Sequence, residues 1–356
     1  MLKKIIFYPI LLVNLIVSVG FLLSGFSYKL PPTEYPILSL ANFMFPAFAV
    51  GVFFFLFFWL FVKWKYSFLS FITLIMGYIP MHKYAPFSQK EDKAESTLSL
   101  ITYNVHSFHS PGEFSDSSTV DLVIDYLAES KADIVCLQEA HPKGETLEKL
   151  QKHYKYIETF TEHGSSPIAC LSKTPIERVE KIEYESHGNR SACFYIRFKG
   201  QLLRIINNHF ETVGLEHEDK EEFKSIVEGA IENDEYKQEG VKRIAKSISK
   251  SMVKRQSEAE SVAKFIGDNA RNTLALGDFN DTPLSYTHYL IDQKLTDCYA
   301  ERGRFTGFSY EQNGMHVRID HAFCSEDFEV VDCYIDDKAT FSDHYPLKIF
   351  LKRSNK

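Results

Sequence analysis

Two long apolar runs near the start of the chain leave little choice of local structure. Ile5–Phe26 is interrupted only by Pro9, Asn14, Ser18, Gly20, Ser24 and Gly25, and Leu38–Val62 carries a dense aromatic section from Phe53 to Phe61. Each reaches the roughly 20 residues that a helix needs to cross a bilayer core. In hydrocarbon a helix satisfies its own backbone, so helix is the expected form. The first run is long for a cleaved signal peptide, and a second follows at once. Tyr66–Met81 is a third and shorter candidate: a full span, a re-entrant piece or an interfacial helix. Residues 1–82 therefore read as a membrane segment with two or three transmembrane helices.

Charge bears on both orientation and partners. Lys3 and Lys4 favour a cytoplasmic N-terminus, and Lys63 with Lys65 would then lie inside after two crossings. A third crossing places everything after it outside the cytoplasm, although Lys83, Lys90 and Lys93 argue the other way. We expect three spans in an inner membrane, with the following domain extracytoplasmic. The chain holds 40 basic and 47 acidic residues, of which the first eighty carry five and one, so the remainder is net −11. Sequence-blind capture of long nucleic acids normally leaves a basic footprint, which is missing here.

Residues 83–96 are polar and charged and read as a linker; residues 97–356 form the soluble domain. Short β-rich runs fill it, among them Leu98–Val105, Asp133–Gln138, Ile168–Ser172, Leu202–His209, Thr273–Leu276 (ended by Gly277), Ile319–Cys324 and Pro346–Leu351. Helical patterns fall between them, such as Thr119–Glu129 with Val120, Val123, Ile124 and Leu127 on one face. The pattern predicts an α/β sandwich of two packed sheets under outer helices. The six cysteines form no C-x-x-C pair, and several lie inside apolar strands, so they read as buried thiols.

The connection 211–271 is long, acidic first and basic after. Lys242, Arg243, Lys246, Lys250, Lys254 and Arg255 follow one another without an acid among them, while Ile244, Ile248 and Met252 mark an amphipathic helix. Two readings stand open: a helical hairpin whose halves pair by charge, or a basic face for substrate phosphates or anionic headgroups.

Chemistry-bearing residues gather where strands run out. Asn104 ends one strand, Glu139 follows Cys136-Leu137-Gln138, and His209 follows Ile205-Ile206-Asn207-Asn208. Gly277-Asp278-Phe279-Asn280 closes another, where an extended chain would point Asp278 and Asn280 to one face. Asp320 opens a strand, and Ser342-Asp343-His344 precedes the last one. Open α/β sheets place sites at such ends. A glutamate there invites a cation, and an aspartate on one histidine nitrogen fixes its tautomer.

In this order the set Asn104, Gln138-Glu139, His209, Gly277-Asp278-Phe279-Asn280, Ile319-Asp320 and Ser342-Asp343-His344 resembles the endonuclease/exonuclease/phosphatase superfamily, over roughly Thr97 to Lys352. That superfamily includes deoxyribonucleases, abasic-site endonucleases, inositol polyphosphate phosphatases and neutral sphingomyelinases; the apolar segment looks like its membrane-anchored bacterial branch. The resemblance implies a four-layered α/β sandwich, two packed mixed sheets flanked by helices, and a divalent metal, Mg²⁺ with Mn²⁺ as the alternative. It implies Glu139 as main metal ligand, helped by Asn104 and Asp343. Asp278 would activate the attacking water or assist the leaving oxygen, and Asn280 would hold the phosphate. Asp320 would orient His344, which with His209 would contact phosphoryl oxygens.

The expected activity is metal-assisted hydrolysis of a phosphodiester or phosphomonoester, on a lipid headgroup, an inositol phosphate or a nucleic acid. A nuclease is the alternative, and a non-catalytic membrane scaffold with this fold is the second. Pro283 stands where an EF-hand loop needs glycine, and neither G-x-x-x-x-G-K-[ST] nor G-x-S-x-G occurs, which removes calcium-loop, P-loop and serine-hydrolase readings.

Overall fold

The computed structural model describes residues 2–89, 97–108, 117–186, 188–214, 221–222, 224–225, 234–268, 270–312 and 314–354. Its first helices are α1 (Leu2–Phe26), α2 (Pro36–Ser39), α3 (Phe45–Lys63), α4 (Ser67–Met76) and α5 (Tyr78–Tyr84). Two stretches, Phe7–Lys29 and Pro36–Met76, are long and apolar enough to cross a membrane. Phe7 packs on Trp59 and Tyr66, Asn14 meets Ser70, and Phe21 stacks on Phe45. Rising numbers along α1 thus meet falling numbers on α3 and rising numbers on α4. The three helices run up, down and up, and Tyr84 ends on the side away from Phe7. Inside the bundle Asn14 Oδ1 accepts from Ser18 at 3.5 Å and Ser70 at 3.1 Å. Outside it Leu12, Ile16, Val19, Phe54, Phe57, Phe61 and Ile72 are exposed.

The strands come in chain order. They begin β1 (Leu98–Asn104), β2 (Ile134–Gln138), β3 (Tyr156–Phe160), β4 (Ile168–Ser172), β5 (Ile176–Lys181), β6 (Arg190–Phe198) and β7 (Gln201–His209). After them come β8 (Thr273–Asp278), β9 (Thr296–Asp297), β10 (Tyr310–Gln312), β11 (Met315–Val317), β12 (Asp320–Cys324), β13 (Phe328–Ile335) and β14 (Leu347–Arg353). One six-stranded sheet runs β13-β14-β1-β2-β4-β3, the other β5-β6-β7-β8-β12-β9, and β10 pairs with β11. Both large sheets are mixed: β1 and β2 are parallel, as are β7 and β8, while β14 and β12 run against them.

Alternation along each strand builds the layers. Leu98 and Leu100, Ile134 and Cys136, Leu203 and Ile205, Leu274 and Leu276, and Ala322 and Cys324 fill the space between the sheets. The intervening residues face outward. Ile101, Tyr103, Val135 and Leu137 pack under α6 (Ser117–Ser130) and α7 (Gly144–Gln151). Ile206, Ala275 and Phe323 pack under α8 (Asp234–Ile266) and α9 (Tyr286–Asp292). With the short α10 (Cys298–Arg302) against β13, the result is a four-layered α/β sandwich. All six cysteines are buried and none is in a disulfide.

Three expectations change. Gly277 does not end its strand: β8 continues through it to Asp278, because glycine is needed there for close approach to β7 and not for a turn. The stretch expected as linker begins as the last turn of α5, and Phe87 bridges to Arg304; residues 90–96 lie outside the described residues. The basic half of the long connection is the helix α8, but it is no uniform basic face. Arg255 is fully buried on Asp281, Lys254 pairs with Glu211 at 2.6 Å, and Arg243 pairs with Glu222. That favours pairing by charge. Glu216, Glu218, Asp219 and Glu232 of the acidic half lie outside the described residues.

Candidate active site

The inward rows of side chains change character toward one edge. Leu98 and Leu100 give way to Thr102 and Asn104; Ile134 and Cys136 to Gln138; Leu203 and Ile205 to Asn207 and His209; Leu276 to Asp278. Because β12 runs against β8, with Asp320 opposite Asp278, its first residue reaches the same edge as the last residue of its neighbour. His344, just before the antiparallel β14, arrives there for the same reason. The site lies where the core between the sheets runs out.

Polar groups clasp the two sheets just behind it. Gln138 Nε2 donates to Asn207 Oδ1 at 2.7 Å, and Asn207 Nδ2 returns bonds to the carbonyls of Leu137 and Ala169, both at 3.0 Å. All these side-chain groups are buried, so each needs its partner.

In front, Asn104 Nδ2 donates to Asp278 Oδ2 at 3.0 Å and to Glu139 Oε1 at 3.3 Å. His209 Nε2 stands 3.7 Å from Glu139 Oε1 and 3.8 Å from Asp278 Oδ2. His344 Nε2 stands 3.7 Å from Asp278 Oδ2, while its Nδ1 is 2.8 Å from Asp320 Oδ2. Asp278, Asp320 and His344 are buried, with ligand atoms within 4.8 Å of one another. Glu139, with φ 53°, turns out of β2 toward the more open mouth.

Burial raises the Asp278 carboxyl, and the Asp320 carboxylate adds to this, while His344, His209 and the Asn104 bond oppose it. Burial by itself lowers the His344 imidazole; Asp320 and Asp278 outweigh that and carry it to about 10. The aspartate on Nδ1 leaves Nε2 to face Asp278 and whatever enters between them.

Asn280 departs from the extended chain expected of it. Its φ is 50°, its backbone N–H donates to Asp278 Oδ1 at 2.8 Å, and its Nδ2 donates to Phe210 O at 3.0 Å. The tight turn locks Asp278 through the Asn280 backbone and commits one Asn280 amide hydrogen to Phe210. Asp343 lies beside the set. Ser342 Oγ joins it to the Asn104 carbonyl, with bonds of 3.2 and 2.9 Å, and His106 Nδ1 is 3.9 Å from its Oδ1.

Three supporting residues were not foreseen. Tyr310 packs edge-on against His344 with ring centroids 5.1 Å apart. Ser309 Oγ accepts the N–H groups of Ile319 and Asp320, each at 3.0 Å, which fixes the start of β12. His106 donates its N–H to Asn104 Oδ1 at 3.0 Å. The first two act through fold contacts that the sequence around them does not signal, whereas the third is the local turn that an asparagine side chain makes with the backbone two residues on.

Among the described residues the donors suit a hard divalent cation. Glu139 and Asp343 offer carboxylates at the mouth, and hard cations take oxygen ligands. Both ring nitrogens of His209 and Asp320 Oδ1 are buried without a partner, so polar groups of an occupant are wanted there. Asn104 presents nitrogen to Glu139; it could join a cation only by turning its oxygen away from His106.

Residues 3–84 match the model of a domain of unknown function (DUF8431). No curated protein matches the chain. Among solved structures, an endonuclease/exonuclease/phosphatase family protein from Leptotrichia buccalis C-1013-b is 15% identical, with 72% of this chain and 100% of that one covered and a TM-score of 0.50. One from Beutenbergia cavernae DSM 12333 is 16% identical, covering 72% of each chain at a TM-score of 0.49. D. rerio TDP2 complexed with single strand DNA product is 16% identical, covering 72% of this chain and 98% of that one at 0.46. A family model spans residues 101–344, from three residues before Asn104 to His344 itself and more than half of the chain, which makes this protein a member of the Endonuclease/Exonuclease/phosphatase family.

Proposed function

We propose that the chain is a membrane-anchored, divalent-metal-dependent hydrolase of phosphate esters. The observation that carries this is the convergence of Glu139, His209, Asp278 and the Asp320–His344 pair on one space at the edge of two sheets. Glu139, with Asp343 beside it, would hold Mg²⁺ or Mn²⁺. When bound, the cation supplies charge neutralisation for the phosphoryl oxygens and the leaving oxygen.

The remaining work falls to this chain's own groups. Asp278, locked by the Asn280 N–H and by Asn104, orients the attacking water in line and takes its proton. His344, kept protonated by Asp320, directs Nε2–H at a phosphoryl oxygen, and His209 directs Nε2 at another. Asn280 Nδ2, with the hydrogen that Phe210 does not take, helps to hold the phosphate. Charge in the transition state thus meets donors that are already in place.

Dialysis against EDTA is expected to abolish hydrolysis of phosphodiesters and phosphomonoesters by the full chain, and Mg²⁺ to restore it. Glu139→Gln should raise the Mg²⁺ concentration for half-maximal activity by roughly 10–100-fold. A Mg²⁺ titration of activity with parallel calorimetry checks this; an unchanged midpoint removes Glu139 as ligand. Lipid headgroups, inositol phosphates and single- and double-stranded DNA are the arms of the substrate panel. The net −11 of the chain beyond residue 80, with the apolar helices before it, favours a substrate at or near the bilayer over long nucleic acids.

We also propose that α1, α3 and the α4–α5 pair cross the bilayer. Their exposed outer surface is apolar, and Asn14 with its serines serves as interhelical glue. Lys3, Lys4, Lys63 and Lys65 share one end, so the catalytic domain sits on the far side, outside the cytoplasm. Protease added to intact spheroplasts should then cut the catalytic domain; protection until lysis would reverse the orientation.

A further inference from the structure

The helical segment does more than lie beside the catalytic domain. Two of its contacts end next to the two carboxylates of the second sheet. Thr282, four residues after Asp278, donates its hydroxyl to Asn42 Oδ1 at 3.1 Å, and both side chains are buried. Asn42 is itself fixed by Nδ2 donating to Ser39 O at 2.7 Å. Beside this bond Leu284 is fully buried in a cluster with Phe21, Tyr28, Phe45 and Val52 of the helical segment.

The second contact lies two residues before Asp320. Arg318 is buried, with its guanidinium 4.0 Å from the Tyr299 ring centroid. It donates Nη2 to the Lys83 carbonyl in the last turn of α5 at 2.6 Å, and Nη1 to the Thr306 carbonyl. A cation this deeply buried is costly unless its donors are met, and one of the groups meeting them belongs to the helical segment.

Neither contact touches the reacting groups. Together they hold the loop after Asp278 and the residues before Asp320 against one body, and so help set the distance from Asp278 to the Asp320–His344 pair. We infer that Asn42 and Thr282 are positioning residues for the reaction, and that the helical segment is part of the support of the active site. The inference rests on the reading of Asp278 as catalytic. A shift of about 1 Å in such a group costs up to roughly 10²-fold in rate, so loss of one tether is expected to cost about tenfold.

The test uses the full chain in lipid nanodiscs with Mg²⁺ and bis(p-nitrophenyl) phosphate, a soluble diester with no need of the bilayer. Asn42→Ala and Thr282→Val should each lower kcat about tenfold with KM unchanged. The double variant should be no worse than either single one, and Thr282→Ser should keep wild-type kcat. Hydrogen exchange of residues 278–284 should quicken in Asn42→Ala. Unchanged kcat in Asn42→Ala, effects that multiply in the double variant, or unchanged exchange would overturn the inference. If wild type fails to cleave the probe, the proposed activity fails, and the exchange measurement alone then decides whether the tether holds the loop.

Discussion

Replacing Asp278 with asparagine is expected to lower kcat by roughly 10³-fold, within the range supplied by a positioned general base. The substitution keeps the shape and removes the charge. It also turns an acceptor toward Asn104 Nδ2, 3.0 Å away, into a group that can oppose it with a second donor. His344 loses one of the two carboxylates that hold its proton, while Asp320 keeps the other at 2.8 Å. The fold should survive, since neutralising a buried carboxyl already raised by burial removes a cost as well as a contact. Steady-state kinetics with a circular dichroism spectrum checks both halves. Activity within tenfold of wild type would take Asp278 out of the mechanism.

The largest effect on stability is expected from Gly277→Ala. Gly277 lies inside β8 opposite Asn208 of the parallel β7, with φ 141°. A methyl built there would lie 2.0 Å from the Asn208 carbonyl oxygen and 2.8 Å from its carbonyl carbon and nitrogen. All three obstacles are backbone, so no side chain can swing aside. The strands must part, at a cost of about 3 kcal/mol or more. At about 2.1 cal/mol/K of unfolding entropy per residue, that is roughly 5 °C in Tm for a sandwich of this size. Parting would also separate His209 from Asp278, which are paired one residue further along, so activity should fall with stability. A thermal melt of the purified variant in detergent measures it, and a midpoint within 2 °C of wild type would show that the sheet can absorb the methyl.

Much of this architecture was legible because it depends on period-two alternation. In Leu274, Leu276 and Asp278, or Leu203, Ile205, Asn207 and His209, one parity runs from apolar to polar, and that change marks both the core and the site. The opposition of Asp320 to Asp278 also follows once the strands are antiparallel. Other features depend on backbone geometry that residue type announces poorly. The left-handed Asn280 and Glu139 reverse where an extended reading points their side chains. Arg255 reads as one more positive charge on a helix, yet it is buried because Asp281 and the Glu211 and Thr212 carbonyls meet it. The bond between Asn42 and Thr282 joins residues 240 positions apart, and neither has a neighbour in sequence that announces it.

The bond from Gln138 to Asn207, with those from Asn207 to the Leu137 and Ala169 carbonyls, has a consequence for how the chain tolerates change. Greasy surfaces pressed together resist separation but not sliding, because their attraction has no preferred direction. Carboxamides bonded across the two sheets do have one, and so work as a dovetail at the rim where Glu139 and Asn104 face His209 and Asp278. Leucines, cysteines and phenylalanines behind it can therefore drift to other apolar residues of like volume while that alignment is kept, whereas a change at either carboxamide would let the two halves of the candidate site fall out of step.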